Sequence, residues 1–271
     1  MSARYVHGYD ATEQERLLLQ AGFLENMVHA SLDLSAVNRL LEVGCGVGAQ
    51  TLILLKKYPH LKITAIDREW KQIEKAKQNL KPYPEFEHRV EFLQADIHNF
   101  NPDRLYDGIY FCWVLEHVHS PKNVLAASKK LLQHGGQIFA SEVFHPSFYI
   151  YPENEYIKQF WDAFADLQRD MDGDPDIGVK LGSYLFDLGF TDINTYNIGQ
   201  YWDKRHPKER AVFVDYFKDL TFTAKDALLE SEMIDLNLVE RTAHAFDSLR
   251  DDEDAIIYYR GFQATAKHVV L

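Results

Sequence analysis

Short apolar runs alternate with amphipathic stretches through the first half of the chain. The runs predict strands near 39–44, 62–66, 90–94, 107–113 and 136–141. Helical character falls between them, near 48–58, 69–80 and 121–133, with a short crossing segment at 98–104. Pro59, Pro82, Pro84, Pro102 and Pro121 all fall in connections or at helix starts, where a missing N–H costs little. Strand and helix in alternation predict an α/β fold: a doubly wound, mostly parallel sheet with right-handed crossovers.

The flanks have other periods. Leu17, Leu18, Ala21, Leu24, Met27 and Val28 recur at helical spacing, which predicts a helical N-terminal cap over 1–35. Asp10-Ala-Thr-Glu13 offers its helix cap. After the cofactor-binding core at 36–145, the segment His145 to Pro152 reads as aromatic and irregular. Ile157, Phe160, Trp161, Phe164 and Leu167 then form an apolar helical stripe. A helix over 178–188 and a strand over 191–198 complete a substrate-side segment, 146–198. Residues 199–255 read as a helical insertion with helices at 207–219 and 223–249, far longer than a hairpin loop. The segment 256–271 supplies the closing edge strand, so the whole chain is expected to form a single domain with seven strands.

Composition narrows the function. Hydrophobic residues make up 46% of the chain, enough for a packed core. The net charge of −12 disfavours nonspecific nucleic-acid binding, which needs a basic surface, so no nucleic-acid partner is expected. No apolar run approaches the roughly 18 residues that span a membrane. The start of the chain lacks an apolar signal core, and there are two cysteines, which points to a reducing, cytoplasmic setting. Neither Cys45 nor Cys112 has metal-ligand spacing, and no metal is assigned. Four acids within Asp170 to Asp176 lack the calcium-loop order and read as a solvated loop.

The stretch Leu40 to Gln50, LLEVGCGVGAQ, carries the chemistry. A strand enters a turn with Gly44, Gly46 and Gly48, and a helix follows, which is the first half of a nucleotide-binding crossover. Gly44-x-Gly46-x-x-Ala49 also satisfies the dinucleotide fingerprint, so the glycines alone do not name a ligand. Their surroundings add to them. Glu42 lies two residues before the first glycine, Asp67 ends the second run and Asp96 ends the third. Ligands of such sheets bind beyond the C-terminal strand ends, where all these residues sit.

The ordered set resembles the class I S-adenosylmethionine-dependent methyltransferases, in the small-molecule (ubiquinone/menaquinone-type) branch. It comprises ExGxGxG at Glu42 to Gly48, Asp67, Ala95-Asp96, YDGIYFCWVLEHV at Tyr106 to Val118 and LLQHGGQIFASE at Leu131 to Glu142. The resemblance implies a Rossmann-like methyltransferase fold and S-adenosyl-L-methionine as cofactor. It implies that Asp67 binds the ribose, that Arg68 flanks the adenine, and that Asp96 and the Ile97 N–H bind its edge. The carbonyls of Gly44 and Trp113 would receive the methionine ammonium. Gly46 and Cys45 would lie against the ligand, Glu42 would hold backbone N–H groups of the turn, and Tyr5 and Arg16 would meet the carboxylate. Two other readings stay open: an NAD-dependent oxidoreductase using the same turn, and a catalytically silent adenosyl-ligand-binding protein.

Methyl transfer needs alignment and exclusion of water more than it needs a base. His117, at the exit of the fourth strand, is the candidate catalytic residue. His145, Tyr149 and Trp202 are candidates for an aromatic acceptor pocket suited to a small molecule. The acceptor and the atom methylated (O, N or C) are open. The 199–255 insertion is expected to offer a homodimer surface.

Overall fold

The computed structural model describes residues 11–270. Tyr5 and the Asp10 helix cap lie outside the described residues. β1 (Arg39–Val43), β2 (Lys62–Asp67), β3 (Val90–Gln94), β4 (Tyr106–Cys112) and β5 (Leu132–Val143) pair in parallel in the order β3-β2-β1-β4-β5. The sheet continues through antiparallel β8 (Ile256–Lys267), which pairs with β5 and also with β6 (Tyr149–Tyr151) and β7 (Thr191–Trp202). The crossovers are α3 (Ala49–Lys57), α4 (Trp70–Leu80) and α5 (Pro121–Lys129). The mostly parallel doubly wound sheet is as expected from the sequence.

Apolar residues of β1 alternate between the two faces of the sheet. Leu40 belongs to a buried cluster with Leu54 and Leu55 of α3, and Leu41 to a larger cluster containing Ile109 of β4. The larger cluster extends into α6 (Glu155–Asp170), whose stripe Ile157, Phe160, Trp161, Phe164 and Leu167 is buried as its period implies. Asn154 starts this helix by accepting the N–H groups of Tyr156 and Ile157. α1 (Ala11–Phe23) and α2 (Glu25–His29) put Ala21, Leu24, Met27 and Val28 into the core, as the cap reading expects. α7 (Ile177–Asp187) precedes β7.

Four expectations are corrected. Among the described residues the sheet has eight strands, because Tyr149–Tyr151 pairs with β8 where an irregular segment was expected. No helix forms at 98–104, where Asn101 precedes Pro102 and helical geometry is disfavoured. β7 runs to Trp202 and so moves Tyr201 and Trp202 out of the helical insertion and into the sheet. The insertion is three helices rather than two: α8 (Pro207–Phe222), α9 (Lys225–Glu230) and α10 (Leu236–Asp251). The α8 aromatics turn inward: Phe217 stacks on Phe148 at 4.7 Å and meets Tyr259 at 5.0 Å. Among the described residues no helix is long and apolar enough to cross a membrane.

Candidate active site

The β1 turn folds back over β2, with the N–H groups of Gly44 and Cys45 both donating to the Ile66 carbonyl, at 2.8 and 3.0 Å. Gly44 and Gly46 take positive φ, 71° and 52°. Their surroundings differ. A Cβ on Gly44 would come within 2.6 Å of Val114, whereas a Cβ on Gly46 would meet nothing within 4 Å. Gly44 is small for packing, and Gly46 leaves bare main chain facing open space.

Asp67 ends β2 and secures this turn. Its Oδ2 accepts the Gly46 N–H at 2.9 Å and its Oδ1 accepts the Glu69 N–H at 2.8 Å. Burial raises its carboxyl pKa, and these two bonds oppose the shift. Glu42 does not hold the turn's N–H groups, contrary to expectation. Its Oε2 accepts the Thr51 hydroxyl at 2.6 Å, so it anchors α3 instead. Burial pushes the Glu42 carboxyl up to about 8.

The β4 exit is held from β5. Glu142 is fully buried, and its Oε1 accepts the N–H groups of Val114 and Leu115 at 3.0 and 2.8 Å. Burial, and then the neighbouring Glu116, raises its pKa to about 8. Trp113 takes φ 54° at this bend, a left-handed conformation that costs a bulky residue about 1–2 kcal/mol. Sequence reasoning gave Glu142 no role, although it lies in a quoted motif.

These turns surround a cavity of about 460 Å³. The β1 turn contributes Glu42, Gly44, Cys45 and Gly46; the β2 end, Asp67 and Arg68; the β3 end, Asp96 and Ile97; and the β4 exit, Trp113 and His117. Arg16 of α1 and His145 after β5 also line it. Tyr149 and Trp202 do not, which corrects the expected acceptor pocket. Tyr149 is 45% exposed on the short β6, and Trp202 packs against His206 at the end of β7. Arg16 is already engaged: Glu13 accepts from its Nε and Nη2 at 2.7 Å, and Gln20 accepts from its Nη1 at 3.0 Å.

The far wall comes mostly from residues that sequence reasoning did not assign to the site. α6 supplies Phe164, α8 supplies Phe213, Tyr216 and Phe217, and β8 supplies Tyr259. The Tyr216 hydroxyl accepts from Gln20 at 2.9 Å, joining α8 to α1 across the cavity. Glu116 is buried, with Oε1 3.5 Å from His117 Nε2 and Oε2 4.0 Å from His145 Nε2. His145 Nδ1 is 3.1 Å from the Tyr259 hydroxyl. Burial lowers the pKa of both histidines, that of His145 to about 4, so both rings are neutral at pH 7. The signal available in the sequence was the apolar stripe Phe213, Tyr216, Phe217, which gives a helix face but not what that face covers.

Comparison with known proteins agrees with this architecture. Residues 41–140 match the family model of a methyltransferase domain. The malonyl-[acyl-carrier protein] O-methyltransferase 1 of Ilyobacter polytropus is 28% identical over 145 residues, 51% of this chain and 52% of that one. The chain therefore spans about half the length of that curated relative. Among solved structures, the [4+2]-cyclase SpnF aligns with TM-score 0.57 at 19% identity, over 93% of this chain and 82% of that one. Human N-acetylserotonin methyltransferase in complex with SAM aligns with TM-score 0.51 at 19% identity, over 68% of this chain and 51% of that one. At these identities the structural likeness carries the fold, which is Rossmann-like.

Proposed function

We propose that this chain transfers a methyl group from S-adenosylmethionine to a small-molecule acceptor. The observation that carries the reading is the bare main chain at Gly46, where a Cβ would meet nothing within 4 Å, beside Asp67 in a cavity of about 460 Å³. That volume suits a cofactor and a small partner. The methyltransferase family match over 41–140 favours this reading over the NAD-dependent one.

The residues present fit the cofactor. Each Asp67 oxygen accepts one backbone N–H and keeps a lone pair for a ribose hydroxyl. Asp96 and the Ile97 N–H would take the adenine edge, with Arg68 beside the ring. The carbonyls of Gly44 and Trp113 would receive the ammonium. Arg16 would meet the carboxylate only by sharing its guanidinium with Glu13. Bound there, the cofactor supplies an electrophilic methyl group on a sulfonium.

The chain's own residues align the acceptor and keep water out. Phe164, Phe213, Phe217 and Tyr259 close the far wall with apolar surface. His117 stands at the wall as a neutral imidazole, in the protonation state a proton acceptor needs. The thiols of Cys45 and Cys112 are free.

A fold-level neighbour described as a cyclase shows that this scaffold also carries other chemistry. Calorimetry with S-adenosylmethionine, S-adenosylhomocysteine and NAD, followed by label transfer to a metabolite panel, tests the reading. Binding of the first two with label transfer supports it. NAD binding alone would replace it with an oxidoreductase, and adenosyl binding without transfer to any acceptor with a silent binding protein.

A further inference from the structure

We propose that the outer face of β6, β8 and β7, centred on Tyr258, is a docking surface for a second copy of this chain. The two copies meet face to face about a twofold axis that runs across the strands.

Side chains alternate along a strand, so Tyr258 and Arg260 share one face of β8 while Ile257 and Tyr259 share the other. The face with Ile257 and Tyr259 is buried, and the Phe217 ring of α8 lies 5.0 Å from that of Tyr259. The face with Tyr258 is open. Strand pairing sets Tyr149 and Tyr201 on either side of Tyr258, and Tyr151 beside Ile256. Tyr149, Tyr151 and Tyr201 are 45%, 51% and 48% exposed. Three adjacent strands thus present tyrosines side by side to solvent. A contiguous surface of tyrosine and arginine is the composition of a protein interface, unlike apolar residues scattered singly.

Charge along this face selects the partner. Arg260 is exposed and makes no ion pair among the described residues; its guanidinium lies 5.2 Å from the Tyr258 ring centre. Glu153 and Glu253 are also exposed and without an ion pair among the described residues. Both lie beyond the opposite end of the tyrosine row, because the end of β6 pairs with the start of β8 at Tyr151 and Ile256. The face is therefore cationic at one end and anionic at the other. A chain with a net charge of −12 repels its own copies wherever like charges meet. The twofold arrangement avoids this by running the two β8 strands antiparallel. It sets Arg260 of each copy toward Glu153 and Glu253 of the other and buries the tyrosines between them.

Sedimentation velocity of the full chain, over a range of protein concentrations at low and high salt, tests the proposal. The wild type is expected to form a dimer that weakens as salt is raised. Arg260→Glu is expected to raise the dimer dissociation constant at least about tenfold. Adding Glu153→Lys and Glu253→Lys to the same chain reverses both ends of the face and is expected to restore the dimer. Tyr201→Ser leaves the charges alone and is expected to weaken it. A thermal melt checks that each variant is folded. A wild type that stays monomeric, a dimer as tight in Arg260→Glu as in the wild type, or no recovery in the triple variant would each overturn the proposal. So would loss of the dimer on Val212→Asp, at an exposed position of α8, which would put the interface on the helical insertion instead.

Discussion

One oxygen of Asp67 accepts the Gly46 N–H at 2.9 Å, while its other oxygen accepts the Glu69 N–H at 2.8 Å. The acid thereby joins the β1 turn to the start of α4 in a single preorganised unit. A ligand that uses both Asp67 and the Gly46 backbone meets groups that already constrain each other, so little ordering is left to the binding step.

The glycines of the turn should separate folding from binding. Gly44→Ala places a Cβ 2.6 Å from Val114 at positive φ, and is expected to lose about 2–4 kcal/mol of stability. Gly46→Ala meets no neighbour and should lose only the backbone cost of about 1–2 kcal/mol. Its methyl group nevertheless occupies the proposed cofactor surface. Urea unfolding and S-adenosylhomocysteine calorimetry check the pair: the larger midpoint shift belongs to Gly44→Ala, and loss of binding with a smaller shift to Gly46→Ala.

Tyr216→Phe tests the join between α8 and α1. The substitution keeps the ring and deletes the acceptor of the Gln20 amide. A loss of about 0.5–1.5 kcal/mol is expected. Hydrogen exchange should quicken in α1 more than in α3, which lies outside this contact. Equal protection of α1 in the wild type and the variant would argue against the join.

The fold and the cofactor side were largely legible in the sequence, for reasons that specific residues explain. Leu40, Leu41 and Val43 announce a buried strand, and glycines with acids at successive strand ends mark the edge where ligands bind. Elements set by distant pairing were not legible. Tyr149-Ile-Tyr151 is too short to show a period and is a strand only because β8 pairs with it. The sequence reading ends β7 at 198, before Gly199. The strand continues because β8 pairs with it as far as Trp202↔Ile257, and glycine fits at 199 because a Cβ there would meet the Tyr259 carbonyl at 2.6 Å. Arg16 was assigned to a ligand because its ion pair with Glu13, one helical turn away, is buried only once the fold forms. His145 and Tyr259 are separated by 114 positions and meet through the antiparallel pairing of β5 with β8.

Glu42 should give stability a pH dependence. Its folded pKa of about 8 lies above the ordinary value of 4.5, so the folded state holds a proton that the unfolded chain releases. Its contribution is fully present below pH 4.5 and is lost as pH rises through about 8. Glu142, also raised to about 8, adds to the same slope. Glu42→Gln keeps an acceptor for the Thr51 hydroxyl but does not titrate. Its unfolding free energy, measured by denaturant titration from pH 5 to pH 9, should fall less steeply than that of the wild type. Parallel curves would refute the assignment.

The central claim is that Asp67 and the Gly46 main chain together hold an adenosyl ligand. Isothermal titration of S-adenosylmethionine into the wild type and into Asp67→Ala tests it most directly. The account predicts saturable one-site binding to the wild type and at least about a tenfold loss in the variant, the scale of losing charged hydrogen bonds to the ribose. Equal affinity in the two proteins would contradict it.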